Sequence, residues 1–235
     1  HDALALKLDP TDGHLLWRRD LSLGDDDGVA VTAVAAGSVT LIRNAHTPGP
    51  TGYDDHWTIQ QLSSADGSDR WQIDLPAPGG HGEAIVEGPN GDLVAVGELG
   101  TTATDRTAIA LRLRHDDGGE TWRVTHDTHA DGNDVGRAVA IHPSGDPIVA
   151  GEVGNADSTD FLVARLDRAT GLEVWRLELD GIGRYFPQYA FDGANDVTVA
   201  PSGDVVASGH LDNGFFDTDA VILKLDGTTG VERWR

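Results

Sequence analysis

The sequence predicts an all-β protein of the propeller type, and three observations predict it. Five segments close on a tryptophan after a glycine-containing turn, and the tryptophans, Trp17, Trp71, Trp122, Trp175 and Trp234, recur at spacings of 54, 51, 53 and 59 residues. Between them lie four copies of a second unit, three of which carry Pro-Asn/Ser-Gly-Asp between two short apolar runs. No stretch holds an apolar helical period beyond one or two turns. A four-stranded period of this length is the size of a propeller blade. A parallel β-helix uses shorter rungs, and a sandwich does not repeat its sequence.

Taken in order, the elements begin with a leading half-blade, residues 1–20, which holds ALKLDPTDGHLLW but no first hairpin. Four full periods follow, at about 28–76, 82–125, 134–178 and 193–235. The first hairpin of each is VAVTAVAAGSVTLIRN, GEAIVEGPNGDLVAVGELG, GRAVAIHPSGDPIVAGEVG and NDVTVAPSGDVVASGHLDN. In the last three, proline presets φ and glycine supplies a positive φ, which is hairpin chemistry. In the second hairpins Leu8, Leu62, Leu113, Leu166 and Leu225 are equivalent, each nine residues before its tryptophan. The turn glycines Gly13, Gly67, Gly118, Gly171 and Gly230 are expected in a conformation that a Cβ would strain. Gly97, Gly151 and Gly209 are expected where strands approach closely. Asp9, Asp167 and Asp226 are placed to accept backbone N–H groups of the turn.

The runs KLDPTDGHLLW, RLDRATGLEVW and KLDGTTGVERW resemble the tryptophan-docking repeats of pyrroloquinoline-quinone-like propellers. DFLVARLD and DAVILKLD, with VAIHPSGDPIVAG and VTVAPSGDVVASG, resemble bacterial repeats of surface or secreted propellers of the seven-bladed type. The resemblance spans nearly the whole chain and implies rings of seven or eight blades. On that reading the segment belongs to a larger ring and lacks some of its blades. A five-bladed ring completed by a partner's hairpin, and a four-bladed ring with residues 1–20 as an appendage, are the alternatives. Such blades occur in dehydrogenases, assembly factors, scaffolds and lectin-like modules, so the resemblance implies architecture rather than activity. A quinoprotein dehydrogenase would bring eight blades, a metal beside the quinone and, in many members, a vicinal cysteine pair; this chain has no cysteine.

Among the 235 residues, 17 are Lys or Arg and 39 are Asp or Glu, a formal net charge of -22. That field opposes nucleic acid, whose charge it would repel. Aspartate supplies 31 of the acids and glutamate only 8, as in salt-exposed (halophilic) or GC-rich hosts. The absence of cysteine excludes a disulfide framework, thiolate metal sites and a cysteine nucleophile. No apolar run approaches the roughly 20 residues of a membrane-spanning helix. The chain opens on His1-Asp2 and contains no methionine, so a processed, tagged or trimmed start is expected, with any export signal upstream. An extracellular, periplasmic or cell-surface location follows from the resemblance.

Two kinds of candidate site emerge. Acidic loops precede the first strand of three blades: Asp25, Asp26 and Asp27; Asp131, Asn133 and Asp134; Asp192, Asn195 and Asp196. Hard oxygen donors at short spacing suit Ca²⁺, although tight turns also recruit Asp and Asn. No other cofactor is expected. The segment GIGRYFPQYAF brings Arg184, Tyr185, Phe186 and Tyr189 into a loop, and Phe215 lies on the equivalent side of the next hairpin pair. Exposed aromatics beside an arginine suit protein recognition or sugar stacking. The function expected is therefore a non-catalytic binding or structural module. The alternative is an enzyme, either a hydrolase or lyase with acids in the central funnel or a quinoprotein-like oxidoreductase. His126 and His129 are the closest histidine pair, and no metalloprotease, phosphate-loop or nucleophile-elbow motif is present.

Overall fold

The computed structural model describes residues 3–21, 25–34, 37–49, 52–75, 80–102, 105–126, 133–155, 158–181, 192–214 and 217–235. They form 18 strands and no helix. The half-blade pairs β1 (Leu4–Leu8) with β2 (Leu15–Asp20). The first blade is β3 (Asp25–Val34), β4 (Ser38–Gly49), β5 (Gly52–Ser63) and β6 (Asp69–Leu75). The second is β7 (His81–Glu87), β8 (Leu93–Thr102), β9 (Asp105–Leu113) and β10 (Glu120–His126). The third is β11 (Val135–Ile141), β12 (Pro147–Gly154), β13 (Thr159–Leu166) and β14 (Glu173–Leu179). The fourth is β15 (Gly193–Val199), β16 (Val205–Gly214), β17 (Asp217–Leu225) and β18 (Glu232–Trp234). Each blade is a four-stranded antiparallel meander in chain order. This is a β-propeller architecture.

The core lies between blades, because both faces of each sheet are apolar. Trp57, Ile59, Leu111 and Leu113 join the first two blades, and Phe161, Val163, Leu223 and Leu225 join the last two. Val96, Trp122 and Leu166 join the middle pair, while Ala3, Leu21, Leu41 and Leu62 seat the half-blade.

Each joint is sealed by the repeated tryptophan. Trp17, Trp71, Trp122 and Trp175 each donate their indole N–H to a backbone carbonyl in the turn of the following blade, at 2.9–3.1 Å. The acceptors are Ser64, His115, Arg168 and Gly227, always three residues before the turn glycine. The indole then lies flat on that glycine. A Cβ on Gly171 would sit 2.9 Å from Trp122 and one on Gly230 2.8 Å from Trp175, and φ is 73° and 72° at these two positions. Space and backbone conformation therefore both demand glycine.

A second donor reaches the same carbonyl in three joints. Lys7 Nζ donates to Ser64 O at 2.6 Å and Arg165 Nη1 to Gly227 O at 2.5 Å, and Arg112 Nη1 donates to Arg168 O. These cations precede the repeated leucine, and two of them also pair with the aspartate of their own Pro-x-Gly-Asp turn. Arg112 meets Asp92 at 2.7 Å and Arg165 meets Asp146 at 2.6 Å. Lys224 meets Asp204 in the same way at 2.8 Å. At the Arg168 and Gly227 carbonyls an indole and a cation thus meet, with the cation's charge balanced within its own blade. In the first blade Gln61 occupies the cation's place and bonds Thr40 instead.

The expected close approach is present as well. In blades two to four the first strand carries a bulge opposite the glycine of the second. A Cβ on Gly151 would lie 1.9 Å from the Val135 carbonyl, and one on Gly209 2.0 Å from that of Gly193. The turn aspartates cap as expected. Asp167 Oδ1 accepts N–H from Ala169 and Thr170, and Asp226 Oδ1 accepts N–H from Thr228 and Thr229. The Thr170 hydroxyl and then these backbone donors hold the Asp167 carboxyl below the usual aspartate range, and the backbone donors do so for Asp226.

Candidate functional site

Antiparallel alternation gives the propeller two unlike ends. The turn end carries the Pro-x-Gly-Asp hairpins and the docking turns, all short. The connection end carries the links between blades and the link between each blade's second and third strands. The end of β10 and the start of β11 stand at this end, as do the end of β14 and the start of β15. So do the end of β12 with the start of β13, and the end of β16 with the start of β17. Arg184, Tyr185, Phe186, Tyr189 and Phe215 lie outside the described residues, as does Asp131.

Three aspartates occupy equivalent places two residues before the bulge: Asp26, Asp134 and Asp192, which are 3%, 0% and 1% exposed. The carboxylates of Asp134 and Asp192 brace backbone. Asp134 Oδ1 accepts the Gly154 N–H at 2.8 Å. Asp192 Oδ1 accepts the equivalent N–H, from Asp212, at 2.5 Å. Its Oδ2 accepts the Gly181 N–H, also at 2.5 Å. Asp26 faces Arg43 Nη1 at 3.3 Å, and that nitrogen also donates to Leu21 O. The acidic loops singled out as cation sites therefore contain one buried aspartate each that ties the first strand to its surroundings. Asn195 and Asp196 are exposed, and Asp196 Oδ1 accepts its neighbour's N–H from Val197. Asn133 is half-buried beside Asp134, in a bridge to Arg106.

Asp192 meets two acids from elsewhere. Asp160 at the start of β13 and Asp180 just beyond β14 bring carboxylate oxygens within 4.8 Å of it and of each other. Burial, then the charge of Asp180, pushes the Asp160 carboxyl up to about 6, against a bond from Asn155. Burial also raises Asp192 in spite of its two backbone donors. One oxygen from each of the three could serve a hard cation. Among the described residues, Asp134 and Asp196 join no such group.

A charged network continues along the same end. Glu98, 1% exposed, is met by His81 Nδ1 at 2.9 Å and by Arg106. Arg137 and Glu152 pair at 2.5 Å across the first hairpin of the third blade. Burial raises the Glu83 carboxyl, opposed chiefly by the charge of Arg137. Between the second and third blades an apolar hollow of about 220 Å³ is lined by Ala108, Val124, Leu162 and Leu172, with His126 and Arg176 beside it.

Residues 55–235 match the family model described as outer membrane protein assembly factor BamB. The chain belongs to that family. No curated protein matches it in sequence. This BamB-family chain is similar in structure to BamB from Moraxella catarrhalis, at 13% identity and a TM-score of 0.50, with 94% of this chain covering 67% of that one. A protein of unknown function from Dyadobacter fermentans gives 11% identity, a TM-score of 0.59 and the same two coverages. A quinohemoprotein alcohol dehydrogenase from Comamonas testosteroni gives 13% and 0.54, with 91% of this chain covering 36% of that one. At these identities the likeness is one of fold. Among the described residues no helix is long and apolar enough to cross a membrane.

Two features of the BamB-family chain were not recognised in the sequence. The cation before four of the five repeated leucines was visible as Lys7, Arg112, Arg165 and Lys224, and its partner in three of them as Asp92, Asp146 and Asp204. Their covariation along the repeat was the available signal. The meeting of Asp160 and Asp180 with Asp192 had no signal, since it depends on where three different strands end.

Proposed function

We propose that this chain is a non-catalytic recognition module of an exported protein, and that its connection end grips another polypeptide. The observation that carries the reading is the double use of Asp192. One carboxylate oxygen holds Gly181 and so pins the two ends of segment 182–191 together. The other holds Asp212, whose own carboxylate accepts the Gly214 N–H at the root of the 215–216 segment. Both aromatic segments thus spring from one braced base, and a rigid base lowers the ordering cost of binding. Arg184, Tyr185, Phe186, Tyr189 and Phe215 are the proposed contact residues. Membership of a family described by outer-membrane protein assembly supports a protein partner and a periplasmic or surface location. We also propose that the arc belongs to a larger ring.

The test is site-specific photo-crosslinking in the native host. A probe at Tyr185 or Tyr189 is expected to trap one defined protein, and a probe at Ser202 on the turn end is not. Equal trapping at both ends, or none at either, overturns the reading. The Asp160 carboxyl at about 6 favours a second reading, a general acid in a hydrolase or lyase, because that value suits proton transfer near neutral pH. Under it Asp160→Asn abolishes activity; under the first, trapping by the Tyr185 probe persists in that variant.

A further inference from the structure

The joint between the second and third blades is built from smaller side chains than the joints on either side of it. On the face of the second blade that meets the third, Ala108 stands where the first blade has Trp57 and the third has Phe161, both fully buried. Ala110 stands where they have Ile59 and Val163. On the fourth strand Val124 replaces Ile73 and Leu177, and His126 replaces Leu75 and Leu179. The opposing face of the third blade adds Ala164 where the second and fourth blades bury Leu111 and Leu223. Five positions of one joint thus shrink or turn polar together, and the apolar hollow of about 220 Å³ is the space they leave.

The hollow reaches inward between the two sheets. It passes from Arg176 on β14 by Leu162 on β13 to Val149 on β12, about 10 Å at the usual strand spacing of about 4.8 Å, a depth that no apolar side chain of a docking partner spans. An apolar cavity of about 150 Å³ takes up benzene, so this one has room for two fused rings. Leu172, 67% exposed, stands at its mouth. There Arg176 meets Glu173 at 2.8 Å and also Glu178, so two carboxylates answer one guanidinium. The surplus charge at the mouth is negative, as is the chain's net charge of -22, and both oppose an acidic ligand. His126 Nε2 accepts from Arg176 Nη1 at 3.3 Å, which leaves the proton of a neutral imidazole on Nδ1, a donor for an uncharged oxygen. An empty void weakens a core in proportion to its volume, and an occupant offsets that loss.

We propose that the joint between the second and third blades is a binding site for a free, uncharged small molecule of two fused aromatic rings that carries an oxygen. The rings lie against Ala108, Ala110 and Ala164, and the oxygen accepts the His126 Nδ1 proton. The carboxylates of Glu173 and Glu178 turn away the acid of the same shape.

Calorimetric titration of the 235-residue chain with 2-naphthol and with 2-naphthoate, at a pH where only the second is charged, tests this. The naphthol is expected to bind one per chain with a dissociation constant below about 1 mM, and the naphthoate at least about tenfold more weakly. Ala110→Ile and Ala164→Leu put back the side chains of the neighbouring joints. Both are expected to fold, to melt at a higher temperature than the wild type, and to lose naphthol affinity by at least about tenfold. Methyl spectra of the wild type locate the rings without any substitution: shifts are expected at Val124 and Leu162, and none at Val163 and Leu223 in the next joint. Failure to saturate, equal affinity for the naphthoate, binding that survives both substitutions, or shifts centred on the next joint each overturn the proposal.

Discussion

At the scale of the residue, tryptophans of one chemical kind do two different jobs. Trp122 has an acceptor for its indole N–H, while Trp57 is fully buried with none among the described residues. Replacing each by phenylalanine removes similar apolar area but only one hydrogen bond. Trp122→Phe is therefore expected to cost about 1 kcal/mol more than Trp57→Phe in chemical denaturation, and equal costs would show that docking is apolar packing alone. The buried aspartates invite a similar comparison. Asp134→Ala strands the Gly154 N–H and is expected to cost about 1–3 kcal/mol. Asn195→Ala, on an exposed side chain at the bulge of β15, is expected to stay within about 0.5 kcal/mol. Here the limits of the sequence are plain. Asp134 and Asp192 were visible as acids in loops, but the N–H groups they hold lie twenty residues further along, on another strand. Trp175 and Gly230 were legible because the repeat supplied both partners many times, and a spacing that recurs reveals a contact that a single pair conceals.

Elements add electrostatics that no one residue sets. The starts of β13 and β15 and the end of β14 converge, so Asp160 ionises beside Asp180 and Asp192. The native carboxyl titrates at about 6 and the unfolded one near 3.8. The native state therefore holds this proton more tightly, and the stabilisation is fully present below 3.8 and lost as pH rises through 6. Asp160→Asn removes the ionisation. It is expected to raise the melting temperature at pH 7.5, with the advantage fading by about pH 4, where the wild-type group is already neutral. A lower melting temperature at pH 7.5, with the pH slope unchanged, would show that the Asn155 bond outweighs the repulsion. The hairpins themselves were readable from Pro-x-Gly-Asp and the alternating apolar runs. The convergence of three strand ends was not, because it depends on the tilt of one sheet against the next.

For the whole molecule, the net charge of -22 acts against compaction. Arginines such as Arg123 and Arg176 are engaged with acids of their own neighbourhood, Glu120 and Glu173, and acids outnumber them across the chain. Raising potassium chloride from about 0.1 to about 1 M is expected to raise the melting temperature by several degrees, because the Debye length falls from about 10 to about 3 Å. A flat salt response in calorimetry would mean that the acids are already compensated locally. The docking joint has a bearing on ancestry as well. Its indole, turn carbonyl and turn glycine all sit on the second hairpin of a blade and its turn, so a blade can carry both a forward and a backward half. Cutting out one whole period, from just after one docking tryptophan to the next, leaves a joint chemically like the one removed, and inserting a period does the same. Unequal exchange between repeats within the gene can therefore lengthen or shorten such a protein in single steps without any compensating substitution, so the number of blades is free to drift where the residues of the joint are not.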